Sequence, residues 1–277
     1  MAPKKTLKIN GQLLDLSEPK VMGILNVTPD SFYEGSRKST VNEVLKSAER
    51  MLSEGATFLD VGGYSSRPGS ADVSVQEEMN RVIAPINAII KEFPECHISI
   101  DSFRSEVAKA ACDAGATIIN DISGGHLDQL MLPMAGELQI PYIGMHMRGT
   151  PQTMKALTDY DDLLIEMGQY FSEMQASCLE HGIHDLIIDP GFGFAKTIEQ
   201  NFDLLKHLDY LSRIDCPILV GLSRKSMIFK TLNIEPKDAL NGTSGLNAIA
   251  LLKGASILRV HDVKEAVELT KLIGKLR

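Results

Sequence analysis

Eight short apolar runs recur along the chain, and nearly all of them end in a polar residue. In chain order the runs are VMGILN, TFLDVGG, HISID, TIIND, PYIGMH, DLIID, PILVGLSRK and SILRVH. Helix-like stretches separate most of them, which is typical of alternating strands and helices. The pattern predicts an α/β fold, a (β/α)8 TIM barrel. Because active sites of such barrels lie at the C-terminal ends of the strands, the polar residues there indicate chemistry.

Length, composition and charge agree with one domain of this kind. The chain has 277 residues, and barrels of this type take about 250, so we expect residues 1–277 to form a single barrel domain. No apolar run approaches the roughly 18 residues that span a bilayer, and the start lacks the apolar segment of a signal peptide. A net charge of −8 argues against general nucleic-acid binding. We expect no nucleic-acid or membrane partner.

The four cysteines show neither close pairing nor CxxC spacing. They are Cys96, Cys112, Cys178 and Cys216. Such isolated cysteines are typical of reduced thiols, so the sequence predicts a cytoplasmic protein.

Turn and helix signals complete the predicted architecture. LKINGQLLDL predicts a β-hairpin with its turn at Asn10-Gly11, which in a barrel can close the bottom. GAT, GAT and GAS recur before three strands and are interpreted as helix ends. Helical patterns are predicted at about 41–54, 75–92, 104–114, 127–138, 159–181, 199–212, 238–253 and 262–274.

Two connections after strands are long and rich in Gly, Ser and Pro, at 27–40 and 63–74. Asn26, at the start of the first, can offer an amide oxygen to a hard cation such as Mg²⁺. Asn-x-Thr-Pro can equally form a simple turn. In the second, Arg67 suits a carboxylate or phosphate because its guanidinium binds oxygens in pairs. The alternative is an ordinary solvated loop.

Asp101, Asn120 and Asp189 lie at the ends of three predicted strands. Carboxylates accept N–H groups, and an amide both donates and accepts, so together they can bind a flat heterocycle with several N–H donors. The alternative is that each caps the following helix or turn. Convergence of three such residues on one mouth favours binding.

Three further segments supply aromatic and cationic groups near the mouth. DPGFGFAKT places Gly191 and Gly193 where the backbone can approach a ligand, with Phe192 and Phe194 as an apolar wall. GLSRKS supplies Arg224, Lys225 and Ser226 after the seventh strand, and RVHD supplies Arg259 and His261 after the eighth. Barrels frequently bind phosphate there, so this pairing predicts an anion site. A surface SRK run is the alternative.

His146 and Met145 belong to the fifth run, PYIGMH. His146 is interpreted as a packing or hydrogen-bonding residue near the mouth, and Met145 as apolar lining of the pocket. No His or Cys cluster has zinc spacing.

Eight motifs together resemble dihydropteroate synthases. They are MGILNVTPDSF, DVGGYSSRPG, SIDSF, INDISGG, MHMRGTPQTM, DPGFGF, VGLSRKSMI and RVHDVKE, spread over about residues 20–270. The resemblance implies a homodimeric, Mg²⁺-dependent transferase of folate synthesis. It would join 6-hydroxymethyl-7,8-dihydropterin diphosphate to 4-aminobenzoate, release pyrophosphate and be inhibited by sulfonamides.

The resemblance also implies roles for particular residues. The metal would be associated with Asn26. The pterin would be held by Asp101, Asn120, Met145, Asp189, Gly193, Phe194 and Lys225. The diphosphate would be held by Asn26, Arg259 and His261. The aminobenzoate would be held by Phe32, Ser66, Arg67, Pro68, Lys225 and Ser226. The catalytic groups would be Asp101, Lys225, Arg259 and His261.

Two positions depart from the motifs common in that family. Tyr64 stands where GGESTRPG has an acid, and Phe103 stands where DTS or DTR has a smaller or polar residue. Ser66 replaces a threonine but keeps the hydroxyl. Neither departure removes a proposed catalytic group, although the function of the missing acid is left open.

The amine of 4-aminobenzoate is an arylamine and a weak nucleophile. In the implied reaction the enzyme must therefore favour departure of pyrophosphate. We expect an SN1-like substitution in which Asp101 stabilises the cationic methylene. A pterin-binding methyltransferase is one alternative, but it should lack the SRKS and RVH anion site. A non-catalytic protein that binds pterin or sulfonamide is another, and it would tolerate the loss of Asn26 or Arg259.

Overall fold

A β-hairpin precedes the barrel in the computed structural model, which describes residues 4–27, 37–64 and 73–276, with the backbone alone at 37–40. Strand β1 (Thr6–Ile9) pairs antiparallel with β2 (Gln12–Asp15). Between them Asn10 and Gly11 have φ of 49° and 77°, as a two-residue hairpin turn of type I′ requires. The predicted hairpin is confirmed.

Eight parallel strands follow and form the barrel. They are β3 (Lys20–Asn26), β4 (Phe58–Gly62), β5 (His97–Asp101), β6 (Ile118–Asp121), β7 (Tyr142–Met145), β8 (Leu186–Asp189), β9 (Leu219–Val220) and β10 (Ile257–Val260). Their order in the sheet is β8-β7-β6-β5-β4-β3-β10-β9. A parallel bridge between Ile188 and Ile218 joins β8 to the segment before β9 and closes the ring. The predicted TIM barrel is confirmed.

Helices surround this ring. They are α1 (Arg37–Ser53), α2 (Val75–Glu92), α3 (Ser105–Asp113), α4 (Met131–Leu138), α5 (Leu163–Glu180), α6 (Ile198–Lys206), α7 (Ser226–Leu232), α8 (Leu240–Leu252) and α9 (Val263–Gly274). None of the helices in the described ranges is long and apolar enough to cross a membrane.

Three helical regions differ from the sequence prediction. The pattern at 199–212 corresponds to α6 followed by a 3-10 segment, Leu208–Ile214. Helix α7 was not predicted, because its 7 residues are too few to establish a helical period. Helix α4 begins at Met131 rather than at 127, since the Asp128 carboxylate accepts the N–H of Leu130 at 2.9 Å and fixes a turn there.

The repeated Gly-Ala pairs end three helices in the same way. Gly55, Gly115 and Gly254 have φ of 101°, 117° and 102°, a region that residues with a Cβ rarely adopt. The following alanine in each case donates its N–H to the carbonyl five residues earlier, at 2.9–3.0 Å. The interpretation as helix ends is confirmed.

The hairpin fills the N-terminal end of the barrel. Leu7, Ile9 and Leu16 pack there, and Leu7 is fully buried. They contact a layer of apolar residues near the starts of the strands, namely Met22, Phe58, Ile118, Ile143, Ile187, Leu219 and Ile257. The bottom of the barrel is therefore closed by packed side chains, and the polar strand ends lie at the other end.

Leu7→Ala is expected to lower the free energy of unfolding by about 2–5 kcal/mol, because it opens a cavity in this fully buried layer. The matched control is Leu13→Ala in the other strand of the hairpin, where the residue is 73% exposed. That change is expected to stay within about 0.5 kcal/mol. Urea unfolding measures both, and equal effects would show that the hairpin does not seal the barrel.

Candidate active site

The register of the sheet places several predicted site residues in one row at the mouth. Asn26 is aligned with Gly62, Gly62 with Asp101, and Asp101 with Asn120. Asp189 is aligned with Met145 on the next pair of strands. These positions come from widely separated parts of the sequence, and parallel pairing alone brings them to the same level.

Arg259 crosses the inside of this mouth and pairs with two carboxylates. Its Nε donates to Asp60 Oδ2 at 2.6 Å, and its Nη2 donates to Asp101 Oδ2 at 2.6 Å. Asn120 Nδ2 donates to the same oxygen of Asp60 at 3.0 Å. Strands β4, β5, β6 and β10 are thus joined by one buried polar network. Buried charges need such pairing, because removal from water is costly.

One carboxyl group of this network has a raised pKa. Burial raises the pKa of Asp101 to about 7, while the Arg259 guanidinium acts in the opposite direction. Asp101 is therefore able to change its charge near neutral pH. Asp60 is fully buried, and its Oδ1 contacts no hydrogen-bond donor among the residues that the structure describes.

Lys225 forms the other charged part of the mouth. Its Nζ donates to the carbonyl of Phe192 and lies 4.9 Å from the centre of the Phe194 ring. Burial lowers the pKa of Lys225 to about 8, and Asp189 opposes that change. Gly193 has φ of 81°, and a Cβ there would lie 3.3 Å from Lys225 Cδ. Glycine thus allows the loop to approach the lysine stem.

An apolar cluster flanks these charges. Met145 is 2% exposed and packs with Phe103 and Phe194, which are partly buried. The remaining members are Ile122, Met147, Met154 and Ala195. The mouth therefore offers a hydrophobic wall beside hydrogen-bonding groups, as sites for flat heterocycles usually do.

The alternative interpretation as helix caps fits only one of the three strand-end residues. Asp189 Oδ1 accepts the N–H of Gly191 at 2.8 Å and so stabilises a turn. Asp101 instead binds Arg259, and helix α3 has Arg104 at its N-cap with no side-chain cap. Asn120 donates into the barrel. Capping therefore does not account for the set.

The groups after β9 and β10 separate into two pairs. Ser223 Oγ and His261 Nδ1 are 2.9 Å apart. Arg224, which the sequence grouped with Lys225, forms an ion pair with Asp262 at 2.6 Å and does not join an anion site. Its φ of 57° turns the chain at this point. Ser226 is the first residue of α7.

The structure describes one of the five remaining predicted site residues. Phe32, Ser66, Arg67 and Pro68 lie outside the described residues. Asn26, half-buried at the end of β3, is described.

The two departures from the family motifs are in contact. The rings of Tyr64 and Phe103 meet edge to face with centroids 5.1 Å apart. The guanidinium of Arg104 lies 5.3 Å from each ring centre. Gln152 Nε2 donates to the Tyr64 hydroxyl at 3.2 Å. Loops after β4, β5 and β7 therefore meet at this point of the rim.

The sequence assigned no site role to Asp60 or Lys196, whose side chains the structure places against Arg259 and His146. Asp60 interrupts the apolar run TFLDVGG two residues before its strand ends, which places it on the same face as Gly62. Lys196 follows the GFGFA segment and is only 8% exposed. Its Nζ lies 3.0 Å from Nδ1 of His146, so His146 is the packing and hydrogen-bonding residue that the sequence predicted.

A family model described as "Pterin binding enzyme" matches residues 22–261. The chain belongs to this family of pterin-binding enzymes. Among curated proteins of the family, it is 46% identical over 265 residues to dihydropteroate synthase of Escherichia coli (strain K12), covering 95% of this chain and 93% of that protein.

Solved structures of the family give the same result. The dihydropteroate synthase of Yersinia pestis, solved with a sulfonamide drug complex, has a TM-score of 0.92 and 42% identity, covering 98% of this chain and 99% of that one. The dihydropteroate synthase of Xanthomonas albilineans in complex with 7,8-dihydropteroate has a TM-score of 0.88 and 35% identity, covering 98% of both chains. The resemblance to dihydropteroate synthases, and with it a transferase of folate synthesis, is confirmed.

Arg259→Met is expected to destabilise the protein by about 3–5 kcal/mol at pH 8, because it leaves the fully buried Asp60 and the partly buried Asp101 without a counter-charge. The pKa of Asp101 is already raised above that of an unfolded chain, so its folded form binds protons more readily. The destabilisation should therefore shrink as the pH falls below 7.

Urea unfolding at pH 5 and pH 8 measures this effect. The control is Arg213→Met, an exposed arginine that lies against Tyr210, for which we expect a change within about 0.5 kcal/mol at both pH values. A pH-independent loss in Arg259→Met would contradict the ion-pair interpretation.

Proposed function

We propose that the mouth of this barrel condenses 6-hydroxymethyl-7,8-dihydropterin diphosphate with 4-aminobenzoate to give 7,8-dihydropteroate and pyrophosphate. The observation that carries the proposal is the network of Arg259, Asp60, Asp101 and Asn120, with Lys225 on the other side. It combines acceptors for ring N–H groups with cations for a leaving diphosphate. The dihydropteroate synthase relatives favour this reaction over methyl transfer and over binding without catalysis.

In this proposal the pterin lies between the carboxylates and the apolar wall. Asp189 and Asn120 pair with the hydrogen-bonding edge of the ring, because a carboxylate accepts two N–H groups and an amide both donates and accepts. Asp101 faces the ring from β5, and Lys225 supplies a cation. The apolar contacts come from Met145 and Phe194, with Gly193 allowing close approach.

The diphosphate lies toward β10 in this proposal, against Arg259 and His261. A guanidinium has five N–H donors, and the bonds of Arg259 to Asp60 and Asp101 use Nε and Nη2. Its Nη1 can therefore bind a phosphate oxygen while both ion pairs stay intact. His261, whose Nδ1 lies 2.9 Å from Ser223 Oγ, lies beside the same anion in this proposal.

Charge at the mouth then favours departure of pyrophosphate before the amine attacks. Arg259 and His261 stabilise the negative charge that develops on the leaving group. The electron-rich pterin ring carries the positive charge left on the methylene, and the ionised Asp101 carboxylate stabilises it. The aminobenzoate nitrogen then forms the new C–N bond with the methylene and releases one proton to solvent.

Asn26 would hold Mg²⁺ through its side-chain oxygen. The described residues contain no group of three His, Cys, Asp or Glu that could hold a metal, so a closed protein cage is not expected from them. A single amide oxygen fits Mg²⁺, which takes few protein ligands and completes its shell with phosphate oxygens and water. When bound, the metal neutralises charge on the diphosphate.

The aminobenzoate site of the proposal combines Lys225 and Ser226 with Phe32, Ser66, Arg67 and Pro68. Lys225 and Ser226 lie at the start of α7, next to the proposed pterin site. Sulfonamides are expected to compete for this site because they mimic 4-aminobenzoate. The homodimer, the cytoplasmic location and the single domain over 1–277 stay predictions.

Asp189→Ala is expected to weaken pterin binding by at least tenfold, since ring N–H groups left unpaired cost about 1–3 kcal/mol each. Calorimetry with 6-hydroxymethyl-7,8-dihydropterin measures the affinity, and pyrophosphate release with and without 4-aminobenzoate measures the reaction. The control is Asp203→Ala on α6, where the side chain is 57% exposed. Tight pterin binding by Asp189→Ala would refute the assignment, as would pyrophosphate release that is independent of 4-aminobenzoate.

The pKa of Asp101 predicts an acid limb in the pH profile. Because its pKa is raised to about 7, the carboxyl is neutral below that pH and cannot stabilise a cation. We expect kcat/KM for the pterin diphosphate, which reports the free enzyme, to rise as the pH increases through 7. Asp101→Asn should be slow at every pH and lack this limb, whereas an unchanged limb in Asp101→Asn would assign it to another group.

A further inference from the structure

Lys196 places a buried amine among three acceptors behind the mouth. Its Nζ lies 3.0 Å from His146 Nδ1, 3.1 Å from the carbonyl oxygen of Phe194 and 3.2 Å from that of Gly191. An ammonium group has three donors, so one Lys196 side chain can satisfy all three acceptors. The proposed reaction makes no use of this residue.

The segment around Lys196 is tightly curled. Gly191, Gly193 and Ala195 have φ of 69°, 81° and 47°, and the N–H of Phe194 donates to the carbonyl of Gly191 at 3.0 Å. This curl turns the carbonyls of Gly191 and Phe194 toward the same point. Without a donor there, the Phe194 carbonyl would lose its bond to Lys196 and the Gly191 carbonyl would keep only the N–H of Phe194. Lys196 supplies that donor from the end of the same segment.

The outer side of the curled segment carries groups of the proposed pterin site. The Phe192 carbonyl accepts from Lys225, and the Phe194 ring lies 4.9 Å from Lys225 Nζ. Lys196 therefore binds two carbonyls of a segment whose third carbonyl, that of Phe192, binds Lys225. His146 holds the Lys196 ammonium in place, because its ring is 3% exposed and packs against Tyr170 with ring centroids 4.8 Å apart.

We propose that Lys196 is a positioning residue for the pterin half of the site, in which its ammonium holds the 191–194 turn so that Phe194 and Lys225 face the ligand. The inference rests on the proposed assignment of Phe194 and Lys225 to the pterin. It adds a residue that touches neither ligand in that assignment.

The surroundings of Lys196 Nζ make its hydrogen bonds to this turn sensitive to pH. Burial has the largest effect and lowers the pKa of Lys196 to about 7. Asp189 favours the charged form of the amine, whereas Lys225 and Arg148 disfavour it. Burial also lowers the pKa of His146 to about 2, so its ring is neutral and Nδ1 can accept from the ammonium. Above pH 7 the neutral amine has one donor fewer, and the turn is held less firmly.

The test compares Lys196→Met with wild type and with Lys206→Met, a matched change of an exposed lysine at the end of α6. Calorimetry with 6-hydroxymethyl-7,8-dihydropterin, which has no phosphate, gives Kd at pH 6 and pH 8. We expect Kd of Lys196→Met to exceed that of wild type by about tenfold or more at pH 6, with a smaller ratio at pH 8. Lys206→Met should match wild type at both.

Steady-state kinetics separate positioning from general damage. The KM for the pterin diphosphate should rise in Lys196→Met by a larger factor than the KM for 4-aminobenzoate, because the proposed aminobenzoate site shares Lys225 with the pterin site but does not include Phe194. Lys196→Gln, which also lacks the charge, should show the same pattern and serves if the methionine variant does not fold. A ratio of Kd values near one at pH 6, or one that is the same at pH 6 and pH 8, would overturn the inference.

Asp189→Ala distinguishes this outcome from failure of the site assignment. If Asp189→Ala loses the pterin while Lys196→Met keeps it, the site is correct and only the role of Lys196 is wrong. If Asp189→Ala binds the pterin normally, the assignment of the site itself fails.

Discussion

The ion pairs of Arg259 with Asp60 and Asp101 hold the mouth of the barrel together. Two carboxylates share one guanidinium at 2.6 Å each, so with both ionised this group carries a net negative charge in a buried place. Such a group is stable only with its hydrogen bonds in place. The same imbalance favours a ligand with N–H donors and a reaction that develops positive charge beside it. Stability of the barrel mouth and selection of the reaction thus have one electrostatic origin.

Local patterns were enough to predict the barrel, because each strand, turn and helix end is encoded over a few residues. The Asn10-Gly11 turn and the Gly55-Ala56 helix end are examples. They did not predict which side chains pair across the mouth. Asp60 and Arg259 are separated by 199 positions, and Lys196 meets His146 across 50. Such pairings depend on strand order and on the exact curl of a loop, which single-strand patterns do not contain.

Tyr64 and Phe103 illustrate how two separate departures can have one explanation. Each is unusual for the family motifs, yet their rings form an edge-to-face pair beneath the Arg104 guanidinium. Arg104 in turn pairs with the fully buried Glu78 at 2.8 Å. Aromatic and cation–π contacts of this kind can fix the rim without an acid at position 64. Substituting either ring alone would remove the contact that accounts for both.

The packed hairpin at the bottom of the barrel has a consequence for the order of events. Leu7 and Ile9 fill that end with side chains that are at most 1% exposed, so the described part of the chain leaves no passage for a ligand there. For the residues that the structure describes, the open end is the mouth with the polar strand ends, and a molecule that binds deep in this mouth lies beneath whatever binds above it. Binding of substrates and release of products are then ordered by the shape of the site. The substrate that goes deepest must arrive first, and the product that remains deepest must wait for the outer one to depart.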